Sequence, residues 1–164
     1  MNQLSLFDEP FSQAHFFITW KLYIDGAARN NPGPAGAGVY ILKNNLPLVR
    51  KAYFLGDKTN NQAEYYALLL GLFALETLMQ PGDKLLIFSD SQLLVRQITG
   101  HYRIKDLQLK ELYAHAQCFL KNKCYTIQHI LRAENGVADE LANEGIDKRS
   151  ELPDSFTRRV LIKL

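Results

Sequence analysis

Four acidic residues stand at the ends of predicted secondary-structure elements in this sequence. Asp25 ends the apolar run "FFITWKLYI", and Asp90 follows the apolar run "LLIFS". Glu64 and Asp139 lie in the first turns of two predicted helices. Carboxylates that share a site repel one another unless cations neutralise them. Carboxylate oxygens suit Mg²⁺ or Mn²⁺ better than zinc, and two such ions roughly 3.5–4 Å apart promote in-line phosphodiester cleavage.

Taken singly, each acid also has an ordinary structural interpretation. Asp25 is a residue type that often starts a turn, and Asp90 is a residue type that often caps a helix. Glu64 and Asp139 would complement the positive end of a helix dipole. The interpretation as a metal site therefore depends on all four acids being brought together by the fold.

Helical spacing places the other two acids on apolar faces. Glu64 shares its face with Leu68 and Leu75, and Asp139 shares its face with Ala142. A carboxylate that only complements a dipole belongs on the solvent side, so this placement favours a buried acidic site. No pair of Cys and His residues with metal-ligand spacing offers a competing metal site.

The elements that must position these acids follow an α/β pattern. In "FFITWKLYI" the period of two places Phe16, Trp20 and Ile24 on one face of a first strand. "GAGVYILK" and "LVRKAYFL" predict two more strands, joined by "NNLP" as a hairpin. An apolar helix over 60–80 follows, with an Asn at its N-cap, and then strands and helices alternate to the end of the domain. This order predicts an α/β fold with a mixed sheet.

Composition excludes several classes of protein. A length of 164 residues predicts one domain, over 16–148, with an N-terminal extension over 1–15 and a C-terminal extension over 149–164. The net charge of +2 identifies no partner.

Cys118 and Cys124 fit reduced thiols of a cytoplasmic protein better than a disulfide framework. We find neither a signal peptide nor an apolar run long enough to span a membrane, so no membrane partner is expected.

Four segments together resemble type 1 ribonuclease H. They read "IDGAARNNPGPAGAGVYI", "TNNQAEYYALLLGL", "IFSDSQLLVRQITGHYRIK" and "ADELAN", they occur in the family's order, and each contains one of the four acids. The resemblance implies the ribonuclease H fold, a five-stranded mixed sheet with strands 1 to 3 antiparallel and flanking helices. It also implies that the four acids bind two Mg²⁺ ions, which Mn²⁺ can replace. The implied reaction is hydrolysis of the RNA strand of RNA–DNA hybrids, leaving 3′-hydroxyl and 5′-phosphate ends. We expect the protein to be a monomer.

The resemblance further implies substrate contacts at five positions. Short polar groups on tight turns can reach the 2′-hydroxyls that distinguish RNA from DNA. By resemblance these groups are Asn31, Asn60, Asn61 and Gln92, and Thr59 matches a residue that contacts a phosphate of the DNA strand. Turn formation by Asn31 and helix capping by Asn60 or Asn61 are the structural alternatives.

Two departures from the family pattern affect substrate grip and product release. The run "GHYRIKDLQLKELY" leaves no room for the basic protrusion of some relatives, so grip must come from scattered cations: Arg29, Arg96, Arg103, Lys105 and Lys110. Many relatives have a histidine before the last acid that assists product release. Here the loop "ILRAENGVAD" offers Arg132, Glu134 and Asn135, and we predict a release role for Glu134 or Asn135.

Two further interpretations remain open at this stage. A transposase- or resolvase-like nuclease, or a non-catalytic nucleic-acid-binding protein of the same fold, is the alternative function. At the N-terminus, "QLSLF" resembles the pentapeptide by which bacterial replication and repair proteins bind the sliding clamp. The residues concerned would be Gln3, Leu4, Leu6 and Phe7, and a hydrophobic plug on the domain is the structural alternative.

Overall fold

Five strands form one mixed sheet in the computed structural model, which describes residues 16–161. They are β1 (Thr19–Ala28), β2 (Gly33–Lys43), β3 (Leu46–Lys58), β4 (Lys84–Ser89) and β5 (Cys124–His129). β1, β2 and β3 form an antiparallel meander, whereas β4 pairs in parallel with both β1 and β5. The sheet order is β3-β2-β1-β4-β5, so the predicted five-stranded mixed sheet is confirmed.

Helices cover both faces of this sheet. They are α1 (Asn60–Glu76), α2 (Gln92–Ile98), α3 (Leu107–Leu120), α4 (Gly136–Lys148) and α5 (Asp154–Phe156). Leu22 of β1 contacts Gly71 of α1 on one face. Gly38 of β2 lies against the backbone of Ala138 in α4, and its β1 partner Asp25 has the opposite parity to Leu22. The helices α1 and α4 therefore pack on opposite faces. None of the described helices is long and apolar enough to cross a membrane.

The apolar face predicted for the first strand is only partly correct. Trp20, Leu22 and Ile24 are buried as expected. Phe16 is 90% exposed, because the strand begins only at Thr19 and the sheet no longer sets its side-chain direction. The alternation of the sequence therefore extends further than the strand itself.

The N-cap of α1 is Thr59, so a capping role for Asn60 or Asn61 is wrong. The hydroxyl of Thr59 accepts a hydrogen bond from the backbone N–H of Gln62 at 3.2 Å. The Gln62 side chain in turn accepts from the backbone N–H of Thr59 at 2.9 Å, which completes a capping box. The polar side chains of Asn60 and Asn61 are thereby left for other contacts.

The C-terminal extension predicted from the sequence packs on the domain as a short helical segment. Phe156 and Val160 are fully buried. The ring of Phe156 contacts Phe73 of α1 edge-on, with 5.5 Å between ring centroids. Arg159 forms a double hydrogen bond with the Glu76 carboxylate. These contacts attach the segment to the domain, with Phe156 and Val160 in the core.

Asp83 anchors the start of β1 at the end of the sheet away from the acids. It is 4% exposed and accepts hydrogen bonds from Ile18 N at 2.9 Å, Trp20 Nε1 at 2.9 Å and Gln80 N at 3.0 Å. Burial alone would raise the pKa of Asp83, but these hydrogen bonds outweigh burial and hold that pKa below its ordinary value.

We expect Asp83→Ala to lower the free energy of unfolding by about 2–4 kcal/mol at neutral pH, because the buried Trp20 donor and two partly buried backbone donors lose their acceptor. Urea unfolding measures this loss, with the exposed Asp57→Ala as the control. Since the pKa of Asp83 is lowered in the folded state, the difference from wild type should shrink as the pH falls below about 4. Equal stability of the two variants would contradict the anchoring role.

Candidate active site

The register between β1 and β4 brings two of the four acids together. Ile24 of β1 pairs with Ser89 of β4 in parallel register. The next residue on each chain is an acid, so Asp25 and Asp90 lie side by side where the pairing ends. Asp25 is 5% exposed. The carboxyl ends of adjacent parallel strands are where α/β sheets bind ligands.

Gly26 allows α1 to bring the third acid against this pair. A Cβ atom at Gly26 would lie 2.2 Å from the backbone nitrogen of Glu64, so any larger residue would push the helix away from β1. The close approach places carboxylate oxygens of Asp25, Glu64 and Asp90 within 4.8 Å of one another. The glycine that follows Asp25 in the sequence is therefore a packing requirement of the site.

The electrostatics of this cluster favours a bound cation. Burial, the nearby Asp90 carboxyl and its hydrogen bond raise the pKa of Asp25 to about 8. Burial, followed by the charges of Asp25 and Asp90, raises the pKa of Glu64 well above its ordinary value. The Oε2 atom of Glu64 is shielded from solvent and has no hydrogen-bond partner among the described residues. An oxygen-only cluster with such an unpaired oxygen fits Mg²⁺ or Mn²⁺.

Asp90 does not cap the following helix, so that structural interpretation is wrong. The hydroxyl of Ser91 accepts from the backbone N–H of Leu94 at 3.2 Å and caps α2 instead. The Asp90 Oδ1 atom accepts a hydrogen bond from Asn135 Nδ2 at 3.1 Å. The carboxylate is thereby directed towards the acidic cluster rather than towards its own helix.

Asp139 lies on the same cleft but in an ion pair. Its Oδ1 atom accepts from Arg132 Nη2 at 2.8 Å, and the Arg132 side chain is 77% exposed. The hydrogen bond and charge of Asp139 raise the pKa of Arg132. The cleft, of about 390 Å³, is lined by the first three acids together with Arg132 and Asp139. A role for Asp139 as a fourth metal ligand stays a prediction.

Two of the predicted substrate contacts are bonded to each other at the rim of this cleft. Asn31 Oδ1 accepts from the backbone N–H of Asn60 at 3.0 Å, and Asn60 Oδ1 accepts from the backbone N–H of Ala28 at 2.9 Å. Asn61 and Gln92 are exposed at the starts of α1 and α2. The asparagines join the end of β1 to the start of α1, which the sequence did not predict.

The loop before Asp139 contains two residues with different environments. Glu134 Oε2 accepts from the backbone N–H of Leu131 at 2.8 Å and stays exposed. Asn135 is 1% exposed, and its side-chain amide donates to the backbone oxygen of Ile24 at 2.8 Å as well as to Asp90. The release role stays a prediction for both residues. The contacts of Asn135 could not be foreseen, because they join residues 111 and 45 positions apart in the sequence. Arg132 and Asp139 are only seven residues apart, but no local pattern specifies their pairing.

The strand order β3-β2-β1-β4-β5, with acidic side chains where the parallel pairing of β1 and β4 ends, is the architecture of the ribonuclease H fold, and the acidic cluster fits a divalent-metal site. The model of the reverse transcriptase-like family matches residues 23–145. The chain is 39% identical to a ribonuclease HI of Halobacterium salinarum over 76% of its length, and 33% identical to a ribonuclease H of Coxiella burnetii over 77%. It covers 63% of the halobacterial relative and 89% of the Coxiella relative.

Solved structures agree with this relationship. The crystal structure of the RNase H1 from Halobacterium salinarum superposes with a TM-score of 0.75 at 35% identity, over 79% of this chain and 98% of that one. LC11-RNase H1, in complex with an RNA/DNA hybrid, superposes with a TM-score of 0.74 at 37% identity, over 80% and 98%. The chain therefore belongs to the reverse transcriptase-like family, and its resemblance to type 1 ribonuclease H is confirmed.

Proposed function

We propose that this protein is an endonuclease that hydrolyses the RNA strand of RNA–DNA hybrids with two Mg²⁺ ions, leaving 3′-hydroxyl and 5′-phosphate ends. The observation that carries the proposal is the cluster of Asp25, Glu64 and Asp90, in which one buried carboxylate oxygen has no hydrogen-bond partner among the described residues. Relatives named ribonuclease H, one of them bound to a hybrid, support the substrate class.

The four acids would hold the two ions, with Mn²⁺ as a substitute for Mg²⁺. Bound ions of this kind activate a water molecule and stabilise the leaving oxygen of the phosphodiester. The protein supplies geometry: Gly26 sets the approach of α1, and Asn135 holds Asp90. Arg132 pairs with Oδ1 of Asp139, so the second oxygen of that carboxylate would remain available to an ion. The exposed Arg132 side chain would also be able to contact a phosphate of the substrate.

Hybrid recognition would use the polar rim of the cleft. Asn31, Asn60, Asn61 and Gln92 would contact 2′-hydroxyl groups in the shallow minor groove. The side-chain oxygens of Asn31 and Asn60 already accept hydrogen bonds from the backbone, so their side-chain NH₂ groups are the donors available to RNA. Thr59 would contact a phosphate of the DNA strand from its position at the N-terminus of α1.

An exposed face of α2 leads away from the acids towards a basic and aromatic turn. Gln92, Arg96 and Thr99 share this face by their spacing, and all three are exposed. The Arg96 guanidinium lies 5.2 Å from the ring centroid of Tyr102, which is itself exposed. In place of a basic protrusion, we propose that this face grips the hybrid, with Arg103, Lys105 and Lys110 nearby in the sequence.

We expect Arg96→Ala to weaken hybrid binding roughly fivefold and to lower the salt dependence by about one ion per complex. Fluorescence anisotropy with a labelled hybrid at several salt concentrations measures both. The matched control is Arg50→Ala, because Arg50 also lies over a tyrosine, at 5.8 Å from the Tyr40 ring, but on the edge strand β3. Equal losses in both variants would refute a specific grip by α2.

The decisive test of the proposed activity is cleavage of a labelled RNA–DNA hybrid beside double-stranded RNA, single-stranded RNA and double-stranded DNA. The reactions contain Mg²⁺, Mn²⁺ or EDTA. We expect cleavage of the hybrid alone or most rapidly, internal cuts in the RNA strand, and no product in EDTA. Preferred cleavage of double-stranded DNA would instead support a transposase- or resolvase-like nuclease, and binding without cleavage would support a non-catalytic protein.

The N-terminal pentapeptide lies outside the described residues, and its clamp-binding role is a separate proposal. Leu6 and Phe7 would fill an apolar pocket of a bacterial sliding clamp, and Gln3 would hydrogen-bond at its rim. Leu4 is the fourth residue that we assign to this contact. Tethering of this kind raises the local concentration of an enzyme where RNA primers lie.

We also propose that the protein acts in the cytoplasm, where DNA replication takes place. Its two exposed cysteines, Cys118 and Cys124, are free thiols, which suits a reducing compartment.

We expect a labelled peptide of residues 1–11 to bind a purified bacterial clamp and a Leu6→Ala, Phe7→Ala peptide not to bind, as measured by fluorescence anisotropy. The reason is that two apolar anchors carry most of the energy of such a short ligand. Equal binding of both peptides, or binding of neither, would refute the tether. Reduced stability of a chain that lacks residues 1–10 would support the plug instead.

A further inference from the structure

One buried amide joins the backbone beside one catalytic acid to the carboxylate of another. Asn135 lies between the 3₁₀ turn at Arg132–Glu134 and α4, and it is 1% exposed. Its Nδ2 atom donates to the backbone oxygen of Ile24 at 2.8 Å and to Asp90 Oδ1 at 3.1 Å. An amide NH₂ has two hydrogens, so both are used. One acceptor lies in β1 and the other directly follows β4, so the two are far apart in the sequence.

The position of these acceptors matters for the geometry of the site. Ile24 directly precedes Asp25, and its pair with Ser89 is the last in the register between β1 and β4. Beyond this pair the parallel ladder no longer fixes the distance between the two chains, yet Asp25 and Asp90 are the next residues. The Asn135 amide links the two chains beyond this pair, because it bonds both to the backbone oxygen of Ile24 and to the Asp90 carboxylate.

The remaining atom of the same amide shows that Asn135 is not optimised for stability. Its Oδ1 atom is buried and has no hydrogen-bond partner among the described residues. An unpaired buried acceptor costs free energy of folding, and an apolar side chain of similar size would avoid that cost. A residue kept only to fill space would not need this amide, whereas a residue that must donate to Asp90 does.

We propose that Asn135 is a positioning residue that fixes the Asp90 carboxylate relative to Asp25 for metal binding. A neutral amide suits this task, because it orients the carboxylate without neutralising its charge. Lysine or arginine in its place would compete with the cation. The hydrogen bond occupies Oδ1 of Asp90 and leaves the second carboxylate oxygen for an ion. The inference rests on the proposed function for its kinetic consequence, but its effect on metal binding needs no substrate.

The test compares Asn135→Leu and Asn135→Ala with the wild type in two measurements. Calorimetric titration of the substrate-free protein with Mn²⁺ should show affinity reduced by about 10- to 100-fold, as is usual when a residue that orients a ligand is lost. Hybrid cleavage should show a similar loss in kcat with a nearly unchanged KM, since Asn135 does not reach the substrate. Both variants should lose some stability, because the backbone oxygen of Ile24 loses its donor, although the leucine variant also removes the unpaired Oδ1 acceptor, which offsets part of that loss.

A matched control separates positioning from general stability. Trp20→Phe also removes one buried hydrogen-bond donor, but from Asp83 at the opposite end of the sheet. It should lower the melting temperature without changing Mn²⁺ affinity or kcat. The proposal is overturned if both Asn135 variants behave like Trp20→Phe, or if both fail to fold. If the wild type binds Mn²⁺ in an Asn135-dependent way but cleaves no nucleic acid, the proposed function fails and the positioning role stands.

Discussion

Replacing Asp90 by asparagine should reduce hybrid cleavage by about a thousandfold or more, because losing a ligand that holds a catalytic metal removes several kcal/mol of transition-state stabilisation. The fold and hybrid binding should be retained. An asparagine can still accept the hydrogen bond from Asn135, and it relieves the repulsion among three clustered carboxylates. Without metal, the variant should therefore be as stable as the wild type or more stable.

The measurement is the initial rate of cleavage of a labelled hybrid at saturating Mg²⁺, combined with urea unfolding in EDTA. Asp57→Asn, an exposed acid outside the cluster, is the matched control and should be fully active. Turnover by Asp90→Asn close to the wild-type rate would eliminate the two-metal assignment. The same substitutions at Asp25 and Glu64 should give comparable losses, whereas Asp139 tests whether the acid paired with Arg132 is required.

The acids of the site could be predicted because each has a local signal. Asp25 ends an apolar run but lies within β1, which continues to Ala28, whereas Asp90 directly follows β4. The two apolar runs nevertheless indicate that each acid lies where a buried strand segment ends. That the two lie side by side depends on the register of Ile24 with Ser89, which no local pattern contains. The family resemblance supplied this part of the prediction. Glu64 was found through its position on an apolar helix face, which the packing of α1 against Gly26 confirms.

The residues that orient the acids could not be predicted in the same way. Arg132 and Asn135 lie in a short polar loop, where their types are ordinary. Asn135 bonds to Asp90 through a contact that only the assembled fold creates, and Arg132 pairs with Asp139 across the turn that leads into α4. The function of a loop depends on the elements that lie beside it in the fold. From the sequence, this loop could therefore be singled out, but only a role in product release was predicted for it.

Helix caps were predicted less well than helices because several neighbours are chemically suitable. Thr59, Asn60 and Asn61 can all cap, and local propensity hardly separates them. Thr59 is the N-cap because Gln62 completes a capping box with it. The side-chain oxygen of Asn60 instead accepts a hydrogen bond from the backbone N–H of Ala28. The long-range contact removes one competitor from the N-cap position.

Raising the pH in the absence of metal should destabilise this protein, which is the reverse of acid denaturation. The pKa of Asp25 is raised to about 8 by burial and by Asp90, whereas an unfolded aspartate titrates near 4. Between these values the folded state binds one more proton than the unfolded state. The free energy of unfolding therefore falls as the pH rises through this window, and the stabilisation is present in full only near its lower end.

The size of the effect follows from linkage. One extra proton corresponds to about 1.4 kcal/mol per pH unit, so between about pH 5.5 and 8 the loss should approach 3 kcal/mol. Glu64, whose pKa is also raised, adds to the same trend. Mg²⁺ should suppress the loss, because ions that bind the carboxylates favour their charged forms and stabilise the folded state.

The measurement is urea unfolding across this pH range in EDTA and in excess Mg²⁺, on the wild type and on Asp25→Asn. The variant has no carboxylate to titrate at position 25, and it removes one repulsive charge from Glu64 and Asp90. Its stability should therefore depend less on pH, and the difference between the two proteins isolates the cluster from all other titrating groups. If the wild type in EDTA follows the same pH profile as Asp25→Asn, the carboxylates do not interact as closely as their geometry requires, and the cluster would not need a cation.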